Sequence, residues 1–143
     1  MPTTFFDGDE GLHAYEALRV SAYLREGDLA GASTATLINW FYPPAHPWLL
    51  GTALILFPAT RATVRLFSLV IYTLDVFLLY ALGRWLARDT RWPWLAGLAA
   101  ALPALAAPPV WIMGSLVYLE LLGVLFILLA FWGYWQGSAG RVW

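Results

Sequence analysis

Asp9 and Glu10 stand side by side at the head of the stretch DGDEGLHAYEALRVSAYLREGD, and a third acid, Glu120, lies inside the apolar run SLVYLELLGVLFILLAFWGYW. A carboxylate within hydrogen-bond reach of a hydroxyl can take its proton. Carboxylates also attract hard divalent cations. An acid inside a membrane helix is costly and is by default a functional candidate. Each of these acids also has a plain structural explanation. Asp9 and Glu10 would complement the positive end of a helix dipole, and Glu120 would pair with a polar group on another helix.

The elements that must position these acids follow from pattern. Leu12, Tyr15, Leu18 and Ala22 recur at spacings of three and four, which predicts an amphipathic helix over 9–26 with that set as its apolar face. On that phase His13 falls on the polar, solvated side. Gly27 marks the stop, and Asp28 reads as a loop cap. GASTATLIN (31–39) reads as a small-residue loop. Trp40 to Pro47 is aromatic and proline-rich and cannot be helix interior. His46 beside its prolines reads either as an interfacial loop residue or as a ligand.

The rest of the chain is apolar. Of its 143 residues 61% are hydrophobic and only 12% charged, about half the usual charged share of a soluble domain. Residues 48–57 would rise only ~15 Å as a helix and are expected to form a juxtamembrane or re-entrant half-helix, with a tilted full span as the alternative. Three spans are expected, over about 64–86, 92–107 and 115–135, which divides the chain into an acidic region 1–63 and a membrane region 64–143. Asp75 lies midway along the first span, where an acid needs a polar partner. Arg84, Arg88 and Arg91 between the first two spans, with Arg141 after the third, put those segments in the cytoplasm by the positive-inside rule. Everything before Val64 is then external, together with the 108–114 link and the outer end of the Glu120 helix. External positions for Arg61 and Arg65 run against that rule. MPTTFFDGDEGLHAYEALR has no basic-then-apolar leader.

Composition excludes several classes. There is no cysteine, hence no disulfide, thiolate metal site or cysteine nucleophile. The eight basic residues are all Arg and form no nucleic-acid surface. No Gly-rich nucleotide loop is present.

The Asp-Glu pair opening a helix that ends in EGD, then YPPAHPWLLG, then RLFSLV…LLYALGRWLARD, then a helix with an acid near its start, resembles the N-terminal part of the GT-C membrane glycosyltransferases. These include protein O-mannosyltransferases, aminoarabinose transferases of lipid A, and bacterial galacturonosyl and mannosyl transferases. The order and spacing, from Asp9 to about Tyr134, carry the likeness. It implies an all-α polytopic membrane protein with a partial GT-C fold, seated in a bacterial inner membrane with its site on the periplasmic face. It implies transfer of a sugar from a polyprenyl-phosphate donor to a hydroxyl on a lipid, glycan or protein. By position Asp9 would be the general base. Glu10, Tyr42, His46 and Arg65 would bind substrate, and Glu120 with Glu10 would hold Mg²⁺ or Mn²⁺, with Zn²⁺ admitted if an imidazole joins. Pro43 and Pro44 match the proline pair of the family's first loop. Tyr42 stands where many relatives have Glu or His. The family has one span before the acidic loop and many after it, so the chain is expected to be a fragment, inactive when isolated. The rival expectation is a small non-enzymatic membrane protein serving as scaffold or subunit.

Overall fold

The computed structural model describes residues 8–37, 43–107 and 120–139. Among these the protein is helical throughout: α1 (Gly8–Arg25), α2 (Leu29–Leu37), α3 (Ala45–Leu56), α4 (Arg61–Leu86), α5 (Pro93–Ala106) and α6 (Glu120–Ala139). The chain divides into two compact units, one of residues 1–69 with 115–119, the other of residues 70–114 with 120–143.

In the first unit α1 packs against α3 and α2. Ala14 and Ala17 of α1 meet Leu50 and Leu54 of α3 and Val64 at the start of α4. Farther along, Val20 meets Ala32 and Ala35 of α2. The small residues on α1 let the helices approach closely: a Cβ on Gly51 of α3 would come within 3.0 Å of the Ala17 carbonyl oxygen. Arg25, in the last turn of α1, donates to the Leu54 carbonyl at the end of α3 at 2.6 Å. A cation there satisfies a carbonyl that has no partner within its own helix.

Gly27 ends α1 with φ +75°, a conformation that glycine adopts without steric cost. The Asp28 amide donates to the Tyr23 carbonyl and the Gly27 amide to Leu24, the paired bonds of a Schellman stop. Asp28 then caps α2, its Oδ1 accepting from the Gly31 amide at 2.7 Å. The expected loop over 31–39 is therefore largely helix: residues 31–37 belong to α2, with Ala32, Ala35 and Thr36 turned inward. A segment of alanines and hydroxyl residues has no large apolar periodicity, yet it has good helix formers and small contact faces.

The helix expected over 48–57 begins earlier, at Ala45, with Pro44 at its cap. His46 and Pro47 occupy its first turn, where an absent amide hydrogen costs nothing. Its 12 residues rise ~18 Å, short of a hydrocarbon core of about 30 Å.

Two helices, α4 with 26 residues and α6 with 20, are long and apolar enough to cross a membrane, which points to membrane association. The span expected over 92–107 shrinks to the 14 residues of α5, ~21 Å of rise. Pro93 sets its start. Ala107 is extended, as a residue before proline prefers. The middle one of the three expected spans is therefore not matched in length. In the second unit Gly83 and Gly97 sit at a close crossing of α4 and α5: a Cβ on Gly83 would come within 2.7 Å of the Ala96 carbonyl oxygen. Tyr72 donates to the Ala104 carbonyl at 3.0 Å, and Trp85 of α4 stacks edgewise on Trp135 of α6 at 5.4 Å.

Candidate functional site

The inward face of α1 departs from the expected one. Tyr15 and Leu18 are exposed, at 58% and 41%, while Glu10, His13 and Glu16 are buried. The inward set Glu10, His13, Ala17 and Val20 repeats at three and four residues, as the expected set did, but on a different side of the helix. His13, expected in solvent, is therefore interior. Its signal in the sequence was this alternative phase, which carries small and polar residues and so shows no hydrophobic stripe.

Three elements bring charged and aromatic groups to the N-terminal part of α1. From α4, Arg65 donates through Nε to Glu10 Oε1 at 3.2 Å and through its terminal nitrogen to Oε2 at 3.3 Å. The fork engages both carboxylate oxygens, a geometry suited to guanidinium. The Glu10 side chain is almost enclosed, and that of Arg65 is about one-third exposed. From α3, His46 lies edge to face with His13, ring centroids 5.8 Å apart, and with Phe67 of α4 at 5.9 Å. His13 Nδ1 is 3.9 Å from Glu16 Oε2, one turn along α1.

His46 is 2% exposed, and neither ring nitrogen has a hydrogen-bond partner among the described residues. Burial, assisted by the neighbouring His13, lowers its pKa from 6.5 to about 4. At neutral pH it is an uncharged imidazole offering one donor and one acceptor. It is a helix residue of the interior, not a loop residue at an interface.

Thus Glu10, Arg65 and His46, three residues proposed from sequence to bind substrate, fall in one unit around one helix end, joined by His13 and Glu16. Asp9 occupies α1 immediately before Glu10; its side chain lies outside the described atoms. Tyr42 lies outside the described residues, as do Asp7, the 108–114 link, residues 115–119 and Arg141. Glu120 opens α6 and is exposed; it belongs to the other unit. Among the described residues no three His, Asp or Glu side chains assemble a metal-binding group.

The buried side of α4 carries Val64, Ser68, Ile71, Tyr72, Asp75 and Leu82. The Ser68 hydroxyl and both Asp75 carboxyl oxygens are buried without a hydrogen-bond partner among the described residues. Buried polar groups are ordinarily satisfied, so Asp75 keeps its standing as a residue awaiting a polar partner.

No protein family, curated protein or solved structure matches this chain.

Proposed function

We propose that the chain serves membrane glycosyl transfer, with Asp9 as the proton acceptor. The acceptor hydroxyl oxygen attacks the anomeric carbon of a polyprenyl-phosphate sugar. The bond from that carbon to the phosphate oxygen breaks, the lipid phosphate leaves with the electron pair, and the hydroxyl proton passes to the Asp9 carboxylate. Support comes from the likeness in motif order and, above all, from the Arg65–Glu10 fork, which anchors the turn carrying Asp9. A base held on an anchored turn loses little orientation entropy when substrate arrives. In this proposal α4, α5 and α6 are the three spans, Arg84 to Arg91 face the cytoplasm, and α1 lies on the periplasmic side of a bacterial inner membrane.

The divalent cation implied by the resemblance is not carried into the reaction. Both oxygens of Glu10 are engaged by Arg65, and the described residues supply no group of three ligands. Arg65 beside the site also offers the positive charge that a departing phosphate needs.

Transfer from a polyprenyl-phosphate-linked sugar is measured in vesicles holding the protein in its natural chain context. Asp9→Asn lowers turnover by roughly 10²–10⁴-fold at unchanged donor binding, whereas Glu26→Gln, at an exposed position, leaves turnover within a factor of about two. A folded Asp9→Asn protein with normal turnover removes the enzymatic proposal. The second reading, a non-enzymatic scaffold or subunit, is favoured by the enclosure of Glu10 in an ion pair, which is also how a purely structural carboxylate is held.

A further inference from the structure

The second unit holds a cavity of about 430 Å³ along the C-terminal part of α4, the turn that follows it and Pro93 at the start of α5. Phe77, Tyr80 and Ala81 line one end, and Arg84, Trp85 and Arg88 the other. Residues 77, 81 and 84 share one helical face and Arg88 stands in the turn just after α4, so the lining grades along the chain from apolar to cationic. The volume lies in the range of sites for small amphiphiles.

The cationic end is arranged for an oxyanion. The Arg88 guanidinium carbon sits 4.8 Å from the centre of the Trp85 ring, which orients its fork. Its contact with Asp89, at 3.7 Å between two exposed side chains, holds little energy against a competing anion. Arg84 makes no ion pair among the described residues. Three arginines (84, 88, 91) face one acid (Asp89) over this stretch. Two guanidinium groups lining one cavity can both donate to the oxygens of one phosphate.

Position narrows the ligand. This is the end of α4, one of the two helices able to cross a membrane, and the charge rule assigns that end to the cytoplasm. The cytoplasmic leaflet carries anionic lipids, and basic pockets between helices on that side suit their headgroups. We propose that the cavity seats an anionic phospholipid, its phosphate between Arg84 and Arg88 and the beginning of an acyl chain along Phe77, Tyr80 and Ala81. A free phosphate would not use the apolar end. A zwitterionic lipid would bring an ammonium group beside two arginines. The proposal rests on the topology proposed above and not on the transfer reaction itself.

The full chain is purified in neutral detergent and mixed with equal amounts of phosphatidylglycerol and phosphatidylcholine, and bound lipid is counted by native mass spectrometry. The wild type retains phosphatidylglycerol about tenfold over phosphatidylcholine, as two interfacial arginines acting together would give. Arg84→Gln with Arg88→Gln brings the ratio to near one at unchanged helical circular dichroism. Arg84→Lys with Arg88→Lys keeps part of the preference through charge. Arg19→Gln, in the first unit, leaves it unchanged. Should the glutamine pair fail to fold, single Arg84→Gln, at an exposed position, still lowers the ratio. Equal retention of both lipids by the wild type overturns the proposal, as does an unchanged ratio in the folded glutamine variants. Displacement of the lipid by millimolar inorganic phosphate would assign the arginines to a free anion instead.

Discussion

Arg65 grips Glu10 across 55 residues of sequence, through two hydrogen bonds of 3.2 and 3.3 Å. The pair ties the first turn of α1 to the first turns of α4, and on the carboxylate side it is almost closed to solvent. Removing one partner of such a pair costs more than the pair itself contributes, because the remaining charge loses its compensation.

Arg65→Met is therefore expected to destabilise the protein by about 2–3 kcal/mol, less than a fully buried pair would because Arg65 is partly exposed. Glu10→Gln alone should cost less, since a neutral amide still accepts from the guanidinium. The double variant should be more stable than the sum of the two single losses. Thermal unfolding of the four proteins in one detergent checks this cycle, and strict additivity would show that the two side chains do not cooperate.

His46 gives a pH dependence with a definite sign. Its folded pKa of about 4 lies below the usual 6.5, so the unfolded chain binds the extra proton first as pH falls. Stability attached to His46 is complete above pH 6.5, declines as pH drops through the window from 6.5 to about 4, and is gone below it. The loss is on the order of 3 kcal/mol. His46→Phe, which fits beside Phe67 and His13, should remove this component. The difference in melting temperature between wild type and variant at pH 7 and pH 4.5 isolates it from the carboxylates, Glu16 and Glu10 included. An equal acid loss in both proteins would place the sensitivity elsewhere.

Gly83 and Gly97 should tolerate no side chain. A Cβ on Gly97 would lie 2.8 Å from both the Tyr80 ring and the Tyr80 carbonyl oxygen, and one on Gly83 would press on the Ala96 carbonyl. Backbone atoms cannot swing aside, so Gly83→Ala is expected to cost about 1–3 kcal/mol. Gly123→Ala and Gly133→Ala meet nothing within 4 Å and should be neutral or stabilising by up to ~1 kcal/mol. Unfolding in mixed micelles of increasing denaturing-detergent fraction compares all three; equal midpoints would dissolve the distinction.

Long apolar helices were the readable part of this chain. α4 is expected over 64–86 and runs Arg61–Leu86, because a long, mostly apolar stretch admits few other structures. α2 was hidden because Ala32, Ala35 and Thr36 bury small side chains that leave no hydrophobic stripe. For α1 the periodicity was real but its sense was reversed: Leu18 looks outward while Glu10 and His13 look inward. No local rule foretells that reversal, since it depends on what α3 and α4 present. Among the site residues, Glu10, His46 and Arg65 could be named one by one from chemistry. Their convergence could not, because it requires the path of the intervening helices.

The reversed sense of α1 also sets how the protein answers to its medium. Glu10, His13 and Glu16 are shielded within the first unit, whereas Tyr15 and Leu18 meet whatever surrounds it. In water these two side chains are a liability for solubility; against acyl chains or the headgroup boundary they are at home. Exchanging them for lysine or glutamate would therefore help the chain in aqueous buffer and hinder it in a bilayer. The two environments would rank the same set of α1 variants in opposite orders, so a screen for well-behaved purified protein would select against the sequence that the membrane prefers.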